Sequence, residues 1–183
     1  MPFNVAEFRS QLEFDGARPN LFRVSMPFPT SVVPSAGNAQ SKLTYMAKTS
    51  QLPGTTSGQV QVFYFGRDVK LAGNRTYPEW TMTVINDEDF AVRRAIEQWM
   101  NGITSASGNL RNPAFKSATS YTVDAGVEQY AKTGEVIKKY KFVGMFPVDL
   151  TPIDLDWGSN DTIEEYAVTW SYQYWTDSEN GIV

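Results

Sequence analysis

The sequence predicts a mainly β protein of seven or eight strands with one amphipathic α-helix, and three observations carry that reading. Alternations of apolar and polar residues recur along the chain. The cleanest is near the C-terminal end, where Tyr166, Val168, Trp170, Tyr172 and Tyr174 alternate with Glu165, Ala167, Thr169, Ser171 and Gln173. Only one stretch switches to the helical period. At about 100° per residue, Val92, Ala95, Ile96, Trp99, Met100 and Ile103 fall within an arc of roughly 140°. Between these runs lie clusters of Gly, Pro, Asn and Ser that read as turns.

The first twenty residues, with Phe3, Phe8, Phe14 and a turn at Gly16 to Pro19, read as an arm or entry segment without strong periodicity. Strand one spans Asn20 to Phe28, with Phe22, Val24, Met26 and Phe28 on one face. Pro27, Pro29 and Pro34 then end any ladder pairing. Pro29 to Ser41 has loop composition, and Leu43 to Lys48 is a short second strand.

Residues 49–78 are the most unusual region. A Gly-rich turn from Leu52 to Gly58 leads into Gln59 to Phe65, where Val60, Val62 and Tyr64 alternate with Gln59, Gln61 and Phe63. The partner strand begins at Arg67 and runs to Leu71, and Gly73-Asn74 makes a further turn. Two readings stay open. The segment is an ordinary strand pair inside a sandwich, or it is a projecting ribbon. A ribbon would expose Phe63, Tyr64 and Phe65 on a structure too thin to be stable alone.

Trp80, Met82 and Val84 form one face of the next strand. The helix then starts at an Asn86 or Asp87 cap, with Glu88 and Asp89 in its first turn, where the dipole favours negative charge. Val92, Ile96, Trp99 and Ile103 are its core residues; Phe90 breaks the pattern, and Gly102 is of the type that ends helices. Arg93 and Arg94 lie on the polar face, which is read as solvated. Thr104 to Ser120 is a long loop. Tyr121 to Tyr130 and Val136 to Val143 form an antiparallel pair about the Lys132 to Glu135 connection. Val148 to Asp156 follows as a strand whose alternation slips around Pro152, implying a bulge or break.

Composition narrows the chemistry. The chain has 183 residues, long enough for one domain to bury about 70% of its unfolded surface. With no cysteine, disulfides, thiolate metal sites and cysteine nucleophiles are excluded. With no histidine, the commonest general base and metal ligand are missing too, which argues against an enzyme and leaves only carboxylate or lysine chemistry open. A net charge of −4, without a basic run longer than Lys138-Lys139, gives no phosphate-binding patch. No apolar run reaches the length of a membrane span, and MPFNVAEFRS has no signal-peptide core, so synthesis is expected in a cytoplasm. Aromatics at 14% hint at subunit contacts, although a β-rich core would account for them as well.

Three constellations bear on chemistry. Asn86 to Asp89 could hold a divalent cation, but acids at a strand-to-helix junction serve more often as a cap. Asp154, Asp156, Asp161, Glu164 and Glu165 lack EF-hand spacing and read as a solvated acidic surface. Gly54 to Gly58 is followed by no Gly-Lys-Ser/Thr and is no phosphate loop. No metal and no cofactor is expected.

Two long runs carry a resemblance. One is Tyr77-Pro78-Glu79-Trp80 through Asn86-Asp87-Glu88-Asp89-Phe90 to Trp99-Met100-Asn101-Gly102. The other is Phe142-Val143-Gly144-Met145-Phe146-Pro147-Val148-Asp149-Leu150-Thr151-Pro152-Ile153-Asp154-Leu155-Asp156, with Ile163 to Tyr166 and Tyr174-Trp175 after it. In this order they resemble the major tail tube proteins of T-even-like contractile-tailed bacteriophages, a pattern shared by inner-tube proteins of contractile injection particles. The resemblance implies a single β-sandwich or barrel-like tail tube domain with one flanking helix. Six copies would form a ring, and rings would stack into a tube in the virion tail. The expected partners are further copies of the chain, the tail sheath protein, the baseplate and the tail terminator. DNA and the tape measure protein would pass through the lumen without sequence-specific binding. Alternatives are the inner tube of an injection particle, a baseplate-proximal tube paralogue and, remotely, a carboxylate metal enzyme using Asp87 to Asp89. The excursion at 49–78 would reach a neighbouring subunit, with Gln51, Leu52, Phe63, Phe65, Arg67 and Tyr77 as the expected contact residues.

Overall fold

A computed structural model describes residues 4–12 and 16–177. Phe3 and Phe14 of the expected arm lie outside the described residues. In chain order the elements are α1 (Val5–Ser10), β1 (Phe22–Ser25), α2 (Ala36–Met46), β2 (Ala47–Thr49), β3 (Thr56–Tyr64), β4 (Arg67–Thr76), β5 (Trp80–Ile85), α3 (Ala91–Ile103), α4 (Ala118–Tyr121), β6 (Val123–Tyr130), β7 (Val136–Leu150), β8 (Glu165–Ser171) and β9 (Tyr174–Asp177). Seven strands form one antiparallel sheet in the order β1-β6-β7-β8-β5-β2, with β9 also beside β7; β3 and β4 pair only with each other. The large sheet is mainly β architecture curled into a nearly closed, barrel-like form.

Alternation decides which side chains are inside. On β5, Trp80, Met82 and Val84 are buried while Thr81, Thr83 and Ile85 are half-buried on the other face. Its neighbour β8 does the same with Tyr166, Val168 and Trp170 against Ala167, Thr169 and Ser171, and the register places Trp80 opposite Trp170. The last strand is therefore central, lying between β5 and β7. It breaks at Tyr172-Gln173 into β8 and β9, although both parts run along β7. The helix α3 presents Val92, Ala95, Ile96 and Trp99 to the same core. Trp99 has no exposed surface, meets Phe28 and Trp170 at ring distances of 5.9 and 5.6 Å, and donates its indole N–H to the Tyr121 carbonyl at 2.8 Å.

Several expectations are corrected. The loop and short strand expected over Pro29 to Lys48 are largely the helix α2, whose Ala36, Ala39 and Leu43 are buried at helical spacing against α3 and β1. Strand one is shorter than expected, though Val24, Met26 and Phe28 keep the buried face. The expected acidic cap is instead a loop. Phe90 itself takes the N-cap position in the left-handed region (φ 51°), and Asp89 Oδ1 accepts from the Ala91 N–H at 3.0 Å. Asp87 and Asp89 both hold Lys42 of α2. Gly102 does not end the helix. It is buried within it, where an added Cβ would come within 2.7 Å of Val32 Cγ1 and 2.8 Å of Phe115 Cε2.

The two strands expected from Val136 to Asp156 are one strand of 15 residues that ends at Leu150. Its buried positions change parity from Phe142 to Met145, because a bulge at Gly144 (φ +67°) inserts one residue against β6. That bulge lets β7 serve β6 at one end and β8 at the other. The slip near Pro152 is where the strand gives way to loop. The turn expected at Gly73-Asn74 is also absent: both residues sit in β4, where the register with β3 shifts by one.

Candidate subunit interface

Strands β3 and β4 form a hairpin that stands clear of the large sheet. The tip is a two-residue turn, Phe65 (φ 45°) and Gly66 (φ 77°), closing the pair Tyr64 and Arg67. Two positive φ values in such a loop match the twist of a hairpin. Every residue of β3 is exposed. The root is pinned by two indoles: Trp80 Nε1 donates to the Gln51 carbonyl at 2.7 Å, and Trp175 Nε1 donates to the Gly54 carbonyl at 3.0 Å.

Register sorts the ribbon into two faces. Val60 lies opposite Leu71, Val62 opposite Val69, and Tyr64 opposite Arg67. Those side chains therefore share one face, apolar except for Arg67 at its end. Gln59, Gln61 and Phe63 share the other with Asp68, Lys70 and Ala72. Among the described residues nothing covers the apolar face: Val60, Val62, Tyr64, Val69 and Leu71 are each between 45% and 67% exposed. An apolar face of this kind on a thin ribbon marks an interaction surface.

The expected contact residues fall in three places. Phe63, Phe65 and Arg67 are at the exposed tip. Gln51 and Leu52 are exposed at the root, beside a groove completed by Pro19, Phe22 and Val127. Tyr77 is half-buried where the ribbon rejoins the sheet, its ring 6.3 Å from that of Tyr172. On α3, Val92, Ile96 and Trp99 are buried, and Ile103 packs against them half-buried.

A second exposed surface escaped the sequence reading. Between Leu150 and Glu165 the chain is loop, and Leu155, Trp157 and Ile163 are 81%, 102% and 69% exposed. Alternation, with Ile153 and Leu155 on one parity, suggested a strand here. The usable signal was Trp157 itself, placed between Asp156 and Gly158 in a turn. The Asp156 carboxylate accepts from the Gly158 N–H at 2.9 Å and fixes that turn. Residues 142–183 contain no Lys or Arg, so this loop carries Asp154, Asp156, Asp161 and Glu164 without an intervening positive charge.

Several other charges are paired within the chain. Lys139 meets Glu128 at 2.6 Å and Lys141 meets Asp124 at 2.8 Å across β6 and β7, and in each pair the lysine hydrogen bond holds the carboxyl below its usual range. Arg93 bonds Glu97 and the Thr151 carbonyl and lies over the Tyr166 ring. Among the described residues no three acidic side chains converge as metal ligands would. Among the described residues no helix is long and apolar enough to cross a membrane.

A model of the phage tail tube protein family matches residues 17–178. The chain belongs to that family. Tail tube protein gp19 of Enterobacteria phage T4 is 30% identical over 162 residues, covering 88% of this chain and 91% of the relative. The tail tube protein of Serratia phage KSP90 is 25% identical over 170 residues, covering 92% and 93%. Among solved structures, the tube-terminating cap of the anti-feeding prophage matches with a TM-score of 0.61 at 15% identity, over 91% of this chain and 93% of that one. The sheath–tube complex of an extracellular contractile injection system in its extended state matches at 0.56 and 15% identity, over 96% and 98%. At these identities the structural matches speak for the fold, which is that of the tail tube family. Phage tail tube proteins are components of the virion.

Proposed function

We propose that this tail tube protein is a structural, non-catalytic subunit that closes into six-membered rings, stacks them into the inner tube of a contractile tail, and reaches a neighbouring copy with its ribbon at 49–78. It is made in the host cytoplasm. The observation that carries this reading is the apolar face of β3 and β4, which no element among the described residues shields. Open margins of the sheet, a liability in a monomer, find cover when identical copies close a ring. The sheath, baseplate and terminator would contact the outside and ends of the tube, while tape measure protein and DNA pass through its channel. Family membership and the presence of a tube relative in a sheath–tube complex support these partners.

Electron microscopy of the purified protein tests the proposal: rings or tubes are expected, and a strict monomer at high concentration overturns it. Phe63→Asp with Phe65→Asp should leave the circular dichroism spectrum and melting temperature unchanged while abolishing polymers, because both side chains are at the exposed tip.

A further inference from the structure

We infer that the ribbon's dock on the neighbouring copy is the 151–164 loop, with the apolar face of β3 and β4 lying on Leu155, Trp157 and Ile163. This deepens the assembly reading above and rests on it. The two surfaces answer each other in both hydrophobicity and charge. The ribbon offers Val60, Val62, Tyr64, Val69 and Leu71 on one face, and the loop offers three large apolar side chains that its own chain leaves in solvent.

Charge sets the pairing. Arg67, Lys70 and Arg75 outnumber the single acid Asp68 in β4, none of the three makes an ion pair among the described residues, and Arg67 lies at the end of the apolar face while Lys70 lies on the opposite one. The loop is wholly acidic. Asp154 and Asp161 are exposed and likewise unpaired among the described residues, whereas Glu164 is engaged by the Asn86 amide at 2.7 Å. A basic, apolar ribbon therefore meets an acidic, apolar loop, while ribbon against ribbon or loop against loop would set like charges together. With the ribbon's root pinned by Trp80 and Trp175, both its apolar face and Leu155, Trp157 and Ile163 stay exposed in the single chain, so the occupant is a second copy.

The absence of native cysteine makes the test clean. Tyr64→Cys and Trp157→Cys are made in separate chains, mixed, assembled and oxidised. A covalent dimer containing one of each is expected in assembled tubes, and it should vanish when the mixture is held disassembled. Tubes that form without this dimer overturn the docking and leave the tube reading standing; so does a dimer from Tyr64→Cys alone, which would mean that ribbons pack on each other. Failure of the unmodified protein to assemble at all overturns both. A charge exchange gives a second readout. Arg67→Asp should reduce tube yield at least tenfold, Asp154→Lys with Asp161→Lys should do the same, and the three changes in one chain should restore it. No recovery in the combined, folded variant counts against the pairing.

Discussion

Trp99 ties α3 to three other parts of the chain. It touches an aromatic ring from the segment after β1 and another from β8, and its N–H satisfies a carbonyl at the end of α4. Truncating it opens a large cavity and orphans that carbonyl, so Trp99→Ala should cost about 3 to 5 kcal/mol in a urea titration. A loss below about 1 kcal/mol would mean that α3 is only loosely applied to the sheet. Lys42 makes a different prediction. Its ammonium donates to Asp87 and Asp89 at 2.5 Å each, bonds that raise the Lys42 pKa, while the bond from Lys42 holds the Asp89 carboxyl below the usual range. A lowered carboxyl stabilises the fold above its unfolded pKa of about 3.9, and that contribution is lost as pH falls through the still lower folded value. The raised Lys42 contributes below about 10.4 and loses its share as pH climbs through the folded value. The stability gap between the native chain and Lys42→Met should thus be flat between about pH 5 and 9 and narrow on both sides; chemical denaturation across pH checks it. At this scale the sequence was legible where packing follows period: Val92, Ile96 and Trp99 could be placed on the core face. Gly102 was not, because its requirement comes from Val32 and Phe115, which approach from segments remote in the chain.

Among the described residues the ribbon is tied to the rest only at its root. Thr55 Oγ1 and Thr76 Oγ1 each bond a backbone carbonyl across the root at 3.4 Å, so the two ends of the hairpin are neighbours. Replacing Thr56 to Thr76 with a short Gly-Ser linker should therefore leave the melting temperature within a few degrees of the native value while abolishing tubes; a large fall would show that the ribbon belongs to the core. Its strands were readable from Val60, Val62 and Tyr64, and so was their expected partner at Arg67. The helix α2 was not. Its stripe holds only Ala36, Ala39 and Leu43, two of them small, and it sits among Pro34, Gly37 and Asn38, whose local preferences favour a turn. Tertiary burial against α3 overrides them. The continuous β7 was hidden for a related reason: a bulge at Gly144 flips parity, and a flip in parity reads as the end of a strand.

For the whole molecule, the net charge of −4 bears on what a tube of this protein can conduct. Without a basic stripe, attraction to a phosphate backbone has no source. Assembled protein should leave a short DNA duplex unretarded in a gel at low salt, and retention would contradict the proposed role as a passive channel. The fold class and family were legible because long runs from Tyr77 onward keep their order and their alternation. The exposed loop around Trp157 was not, since alternation says which residues share a face and nothing about whether a neighbour covers it. Strand order adds one more consequence. Strand β8, contributed by residues 165–171, is the shared neighbour of β5 and β7, and β1 must wait for β6, whose partner residues lie about a hundred positions downstream. The hairpin of β3 and β4 is local and can form in microseconds, whereas sheet closure depends on distant pairings that form slowly. On a ribosome, the adhesive arm is thus synthesised long before the body that must carry it, and translation of the final strands, Trp175 among them, is the event that anchors it and commits a newborn chain to a single shape.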